Sequence, residues 1–196
     1  MNERLVAAEA LLTEFGWEVP HARQVRDLAL TLFDQLQPLH GLGLEERDIL
    51  AAAALLHDIG WTVGATKHHK ESYRLIREHA PRLAGFTLSE VELIANVARY
   101  HRKALPSLDH EPFANLAVPQ RQVVQRLAAL LRLADGLDRG HHSAVTAISC
   151  AVTADRVLIS IRLPASDDTD LGGAARKRDL FEVVFGRPVE FAVLSM

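Results

Sequence analysis

Apolar residues recur every three to four positions through most of the chain and every second position near its end, a change of period that divides the sequence near Gly140. A first helix is expected over ERLVAAEALLTEF, stopping near Gly16, and a second over HARQVRDLALTLFDQL, ending before Pro38. GLGLEER leads into a third from about Glu45, which closes on ALLHDIG with Gly60 as its left-handed C-terminal cap. HHKESYRLIREH makes a fourth, with Pro81 just behind it. TLSEVELIANVARYH makes a fifth, where Thr87 and Glu90 stand at capping-box spacing. A short helix near Glu111 to Leu116 precedes a last long one, from Pro119 through RQVVQRLAALLRLADGLDR. After Gly140, VTAISCAV and RVLISIRL alternate as a β-hairpin joined by TADR, with Val157, Ile159, Ile161 and Leu163 on one face. A loop, PASDDTD, a helix through LFEVVF and a strand, PVEFAVL, complete the chain. The predicted fold is mainly α: a helical domain over residues 1–142 and a small α+β C-terminal subdomain over 143–196. The subdomain has no cluster of reactive side chains, so packing or dimerisation is assigned to it rather than chemistry.

The helical stripes are not purely apolar. His21 shares one with Val25, Leu28 and Leu32, and His57 shares another with Leu50 and Ala54, flanked by Asp58. Asp135 follows Val124, Leu127 and Leu131, and His101 follows Ile94 and Val97. Four helices thus each turn a histidine or an aspartate inward. Any one inward histidine is ordinarily a hydrogen-bonded core residue. Burying several such groups is costly unless they are paired or share a cation, and a metal ion would satisfy them together. Imidazole nitrogen with carboxylate oxygen and no thiolate suits Mn, Fe, Co, Zn or Mg.

Composition narrows the alternatives. The 196 residues carry a formal charge of −3 with both signs interspersed, which argues against a general DNA or membrane-surface binder. Cys150 is the single cysteine, so a disulfide framework and a cysteine-rich zinc site are excluded, and its predicted strand supplies no adjacent base for a nucleophile. No apolar run reaches membrane-spanning length, and the acidic N-terminus lacks signal-peptide character, so a soluble, cytoplasmic protein is expected. No G-x-S-x-G, Walker or dinucleotide loop occurs, and Gly41 to Gly43 read as a linker.

His21, the adjacent His57 and Asp58, and Asp135 resemble the H…HD…D signature of the HD-domain superfamily of metal-dependent phosphohydrolases. The phrases ALLHDIG, HHKESYRLI, LIANVARYHRKALP and LAALLRLADGLDR are similar to the HD-like C-terminal domain of the exopolyphosphatase and guanosine pentaphosphatase family, over roughly residues 15 to 142. The resemblance implies a helical HD fold, with His21, His57, Asp58 and Asp135 around a divalent metal. It departs from the family in lacking an N-terminal actin-like phosphotransferase module with glycine-rich phosphate loops, so hydrolysis is expected in the HD domain itself. His101 and His68 or His69 stand where some HD proteins resemble binuclear enzymes. His68, four residues before Ser72, fits that H-x-x-x-small pattern better, whereas a helix N-terminus facing solvent is the plain alternative for either residue. In a two-metal site Asp58 would bridge the ions and a metal-bound hydroxide would attack phosphorus.

Phosphate recognition needs cations, and Lys70, Arg102, Lys103, Arg132 and Arg139 stand beside the proposed ligands. Arg132, Asp135 and Arg139 lie on neighbouring positions of one helix face, where a guanidinium would hold a phosphate bidentately. Surface solvation or an ion pair is the ordinary role for any one of them, and Asp138 could pair with Arg102 or Arg139. His40, His79, His110, His141 and His142, at helix ends or in loops, receive no role. The expected activity is divalent-metal-dependent hydrolysis of a phosphate monoester or phosphoanhydride, in a nucleotide or polyphosphate, with one or two ions per chain. The alternative is a non-catalytic module that binds polyphosphate or a nucleotide, or docks on a separate actin-like phosphatase. A homodimer is the expected oligomer.

Overall fold

The computed structural model describes residues 3–164 and 172–194. Beyond Pro164, the expected PASDDTD loop lies outside the described residues. Helices α1 (Glu3–Phe15), α2 (Val19–Gln35) and α3 (Gln37–His40) lead to α4 (Leu44–Leu56), the centre of the bundle. The run from Ile49 to Leu56 is buried on every side of α4, as expected for a helix packed all round. Its alanines, Ala51 to Ala54, give neighbouring helices room to approach. Helix α4 packs against α1, α2, α6 (Leu88–Arg99) and α8 (Val118–Leu137); α5 (His68–Glu78) lies on α6, and α7 (Glu111–Ala114) precedes α8. The stripes read from the sequence are the buried ones: Val25, Leu28 and Leu32; Leu50 and Ala54; Ile94 and Val97; Val124, Leu127 and Leu131. Thr87 caps α6 as its spacing predicts. The Glu90 amide donates to Thr87 Oγ1 at 3.2 Å, and the Thr87 amide donates to Glu90 Oε2 at 2.7 Å. Among the described residues, no helix is long and apolar enough to cross a membrane.

Gly60 does not cap α4. The helix stops at Leu56, and Gly60 sits inside a 3₁₀ turn over Ile59–Thr62, outside the left-handed region. Its glycine is required by close approach: a Cβ there would lie 2.1 Å from the His68 carbonyl oxygen and 2.5 Å from the Ser72 amide nitrogen. The Gly60 amide donates to Ser72 Oγ at 2.9 Å, so the H-x-x-x-small spacing also serves to seat α5 against this turn. Helix α3 escapes sequence reading because four residues show no period. Pro38, which marks the end of α2, lies in its first turn, and Gly41, at φ +65°, closes it.

The C-terminal part forms one sheet in the order β1 (Ala147–Val152), β2 (Val157–Arg162), β3 (Val189–Leu194). β1 and β2 pair antiparallel as the predicted hairpin, and β3 runs parallel to β2. Val157, Ile159, Ile161 and Leu163 are buried together, as their alternation predicts. Gln24 Nε2 donates to the Val145 carbonyl at 2.7 Å, Gln35 Nε2 donates to that of Ile148 at 3.1 Å, and Gln35 Oε1 accepts the Cys150 amide at 2.6 Å. The outer edge of the hairpin is thus tied to α2. Short helices α9 (Gly172–Arg176) and α10 (Asp179–Phe185) cross back onto α8. Sheet and bundle share a continuous apolar core.

Candidate metal centre

Helix ends create the site. His57 follows the last residue of α4 and His101 follows the end of α6, where carbonyls of the final turn lack intrahelical donors. Each histidine meets one of these through its own Nδ1: His57 to the Ala54 carbonyl at 2.7 Å, His101 to that of Ala98 at 2.7 Å. His68, opening α5, does the same to the Ala65 carbonyl at 3.2 Å, and His21, in the first turn of α2, to Asp138 Oδ2 at 2.8 Å. A carbonyl or carboxylate oxygen only accepts, so each Nδ1 carries the proton. Each Nε2 is thereby aimed into a common space, where it can serve as a ligand in the neutral ring. All four rings are buried, and His21 Nε2, His57 Nε2 and Asp58 Oδ1 have no hydrogen-bond partner.

The two carboxylates lie among these nitrogens. Asp135 Oδ1 is 3.6 Å from His21 Nε2 and 4.0 Å from His57 Nε2. Asp58 faces both ways: Oδ2 is 3.6 Å from His57 Nε2, while Oδ1 is 3.2 Å from His68 Nε2 and 3.5 Å from His101 Nε2. Three sets, His21 with His57 and Asp135, Asp58 with His68 and His101, and His21 with Asp58 and His141, have ligand atoms within 4.8 Å of one another. Metal bonds of roughly 2.0–2.2 Å leave ligand atoms about 3 to 4 Å apart, so the first two sets have the size of a one-ion site each. They meet at Asp58. Burial pushes the pKa of both carboxyls up, but the imidazoles around Asp58, and Lys177 with the imidazoles around Asp135, outweigh it and hold both well below the ordinary range. Burial keeps His57 and His101 below their ordinary value, hence neutral. For His21 the effect of burial is overcome by Asp135 and Asp138, which raise it to about 9. Ionised carboxylates with the neutral His57 and His101, joined by His21 once it gives up its extra proton, are the donor set a divalent cation needs.

The family model of Ppx/GppA phosphatase, domain III, matches residues 4–170. The chain belongs to the Ppx/GppA phosphatase family. No curated protein matches it. The span takes in every candidate ligand of the centre, so these groups belong to a phosphatase-related module.

In this Ppx/GppA domain the centre opens on a cavity of about 480 Å³ whose wall includes Asp58, His101, Arg102, Lys103, Asp135 and Arg139. Lys103 and Arg139 have no acidic partner among the described residues, and Arg102 donates to His68 Nε2 at 3.0 Å. Other expected residues are placed differently. Lys70 and His69 line a neighbouring hollow of about 450 Å³ that shares Arg102 and Lys103. His69 belongs to none of the three sets, and burial together with nearby cations pulls it down to about 4. Arg132 borders the main cavity but does not offer a free fork for phosphate. Its guanidinium meets Asp179 at 2.8–3.1 Å and the carbonyls of Tyr100 and Lys103 at 3.2 and 3.3 Å. Asp138 pairs with neither Arg102 nor Arg139; it holds His21 and accepts the Ser143 amide at 2.7 Å.

Two further expectations are corrected. His141, given no role, stacks on His21 with ring centroids 3.7 Å apart and borders the cavity. The C-terminal subdomain, read as free of chemistry, supplies Arg176, Lys177 and Asp179 to the cavity wall, with Lys177 paired to Asp135. The positive-φ residues Glu18, Lys67, Lys103, His141 and Ser143 all lie beside these site residues in the chain or in space. Such backbone collects at functional sites, but side-chain period carries no trace of it. Cys150 is half-buried with its thiol pushed up to about 12 by burial, the state of an inert cysteine.

Proposed function

We propose that the centre holds one or two divalent cations and hydrolyses a phosphate monoester or phosphoanhydride carried by a nucleotide or a polyphosphate. The observation that carries this reading is the convergence of His21 Nε2 and His57 Nε2, buried without a hydrogen-bond partner, on the ionised carboxylates of Asp58 and Asp135. His21, His57 and Asp135 would hold one ion and His68 and His101 a second, with Asp58, whose oxygens face both groups of imidazoles, available to either. Ions held there would supply Lewis acidity toward the phosphoryl oxygens and acidify a water. The remaining tasks belong to the chain. The Nδ1 anchors on Ala54, Ala98, Ala65 and Asp138 set the ring orientations before any ligand arrives. Lys103 and Arg139 present charge to a phosphate in the cavity, and Arg102 adds a guanidinium able to hold two of its oxygens. Arg132, fixed by Asp179 and two carbonyls, keeps the strand of chain bearing Lys103 in place.

The test is phosphate release from nucleotides, inorganic polyphosphate and a simple aryl phosphate, with and without added Mn, Fe, Co, Zn or Mg. Turnover that requires a divalent ion and disappears in Asp58→Ala supports the reading. Anion binding without turnover at every metal loading would instead make the domain a binding or docking module.

A further inference from the structure

The oxygens of Asp135 are divided between two kinds of partner. Oδ1 faces the nitrogens of His21 and His57, whereas Oδ2 receives the ammonium of Lys177, contributed by a segment 42 residues further along the chain. That segment is fastened to α8 by contacts that do not involve Lys177. Gly173 lies so close to Gly136 that a Cβ on either would come within 2.6 Å of the other's backbone or its neighbour's. Ala174 is buried, and Asp179 grips the guanidinium of Arg132 at 2.8–3.1 Å. The backbone on both sides of Lys177 is therefore held, while its side chain, 22% exposed, borders the cavity. The other ion position has the same arrangement, because Arg102 donates to His68 Nε2 at 3.0 Å. One internal cation stands on a ligand residue at each position.

We propose that Lys177 is an internal counter-ion of the centre which a divalent cation displaces, and that the displaced ammonium then meets the anion in the cavity. The inference rests on the reading of the centre as an ion site. Asp135 would share its charge between a divalent ion held with His21 and His57 and the ammonium of Lys177, so ion binding there would both weaken the attraction that holds Lys177 and repel it. Lys177 has no second carboxylate to take up along the cavity wall: Asp179 is engaged by Arg132, and both oxygens of Asp58 face the ion positions themselves. The open cavity beside Lys103 and Arg139 is what remains within reach, and this is where a phosphate would sit. Ion binding and anion binding thereby become coupled, with the ion preparing the pocket for the anion.

Titration calorimetry of the whole chain with Mn(II), and then of the Mn(II)-loaded protein with inorganic phosphate, tests this in wild type, Lys177→Met and Lys177→Arg. Lys177→Met should bind Mn(II) about fivefold or more tightly and bind phosphate about fivefold or more weakly once loaded; Lys177→Arg should stay near wild type in both. A supporting role for Lys177 behind Asp135 predicts the opposite sign for Mn(II). Weaker or unchanged Mn(II) binding in Lys177→Met, or undiminished phosphate binding, overturns the proposal while leaving the ion site intact. If wild type takes up none of Mn, Fe, Co, Zn or Mg, the ion-site reading fails and this proposal with it; if it takes up another of these ions but not Mn(II), the same titrations with that ion decide the proposal. His57→Ala separates the two cases, because Mn(II) uptake at the centre must be lost there whatever Lys177 does.

Discussion

His40 and His57 are both buried, yet they differ in what their rings have left over. His40 uses both nitrogens: Nε2 donates to the Phe33 carbonyl at 2.8 Å, and Nδ1 accepts the Leu42 amide at 3.0 Å. His57 uses one, donating Nδ1 to the Ala54 carbonyl and leaving Nε2 unpartnered among carboxylates. Burial alone therefore does not distinguish a structural histidine from a functional one. The unsatisfied nitrogen does, because a buried polar atom without a partner destabilises the fold unless something outside the protein completes it.

The comparison breaks first, and most severely, at the reaction. His57→Ala should lower divalent-dependent turnover by at least about a hundredfold, since even groups behind a metal ligand are worth about 10- to 100-fold. His40→Ala should leave turnover per folded molecule unchanged. Kinetics on both variants at matched folded fraction would check this, and equal losses would erase the distinction.

The next effect sharpens the contrast through a group that touches no ion. Asp138→Asn keeps the shape beside His21 Nδ1 but replaces a carboxylate with an amide. Metal affinity, measured by competition with a chelating dye, should fall about 10- to 100-fold. An unchanged affinity would reduce Asp138 to a cap for the Ser143 turn.

Proton release follows. His21, raised to about 9 with no ion beside it, carries a proton at pH 7 to 8, and a ligand imidazole must be neutral. Ion uptake there should release a proton, and affinity should rise with pH up to about 9 and level off above it. Calorimetry in buffers of different ionisation enthalpy would detect the proton. His40, which burial holds below its ordinary value, should contribute none.

The smallest effect is on stability. His40→Ala removes both bonds of a buried ring and should cost about 1–3 kcal/mol in denaturant unfolding, with metal content unaltered.

Much of the centre was legible because its residues continue apolar helical stripes. His21 lies four residues before Val25, and Asp135 four after Leu131, so the packing that buries the stripe buries the polar residue with it. The stripe of α4 likewise ends on the adjacent His57 and Asp58, and the family resemblance added the H-x-x-x-small spacing of His68 and Ser72. What escaped depends on separations that no local period encodes. Asp138 meets His21 across 117 residues and Lys177 meets Asp135 across 42, brought together by close packing such as that of Gly136 on Gly173. Gly60 illustrates the same limit: at a helix end a glycine reads as a cap, whereas the reason for it lies in the backbone of α5. His141 sits in a loop, and only the folded chain lays its ring on His21.

The most direct test is the metal content of the protein purified without added metal or chelator, measured by inductively coupled plasma mass spectrometry on wild type, His40→Ala and His57→Ala. Wild type and His40→Ala should each carry about one or two equivalents of a divalent metal, and His57→Ala should lose them. A wild type that is empty and stays empty after incubation with Mn, Fe, Co, Zn or Mg would contradict the ion-site reading, as would a His57→Ala variant that retains its full complement.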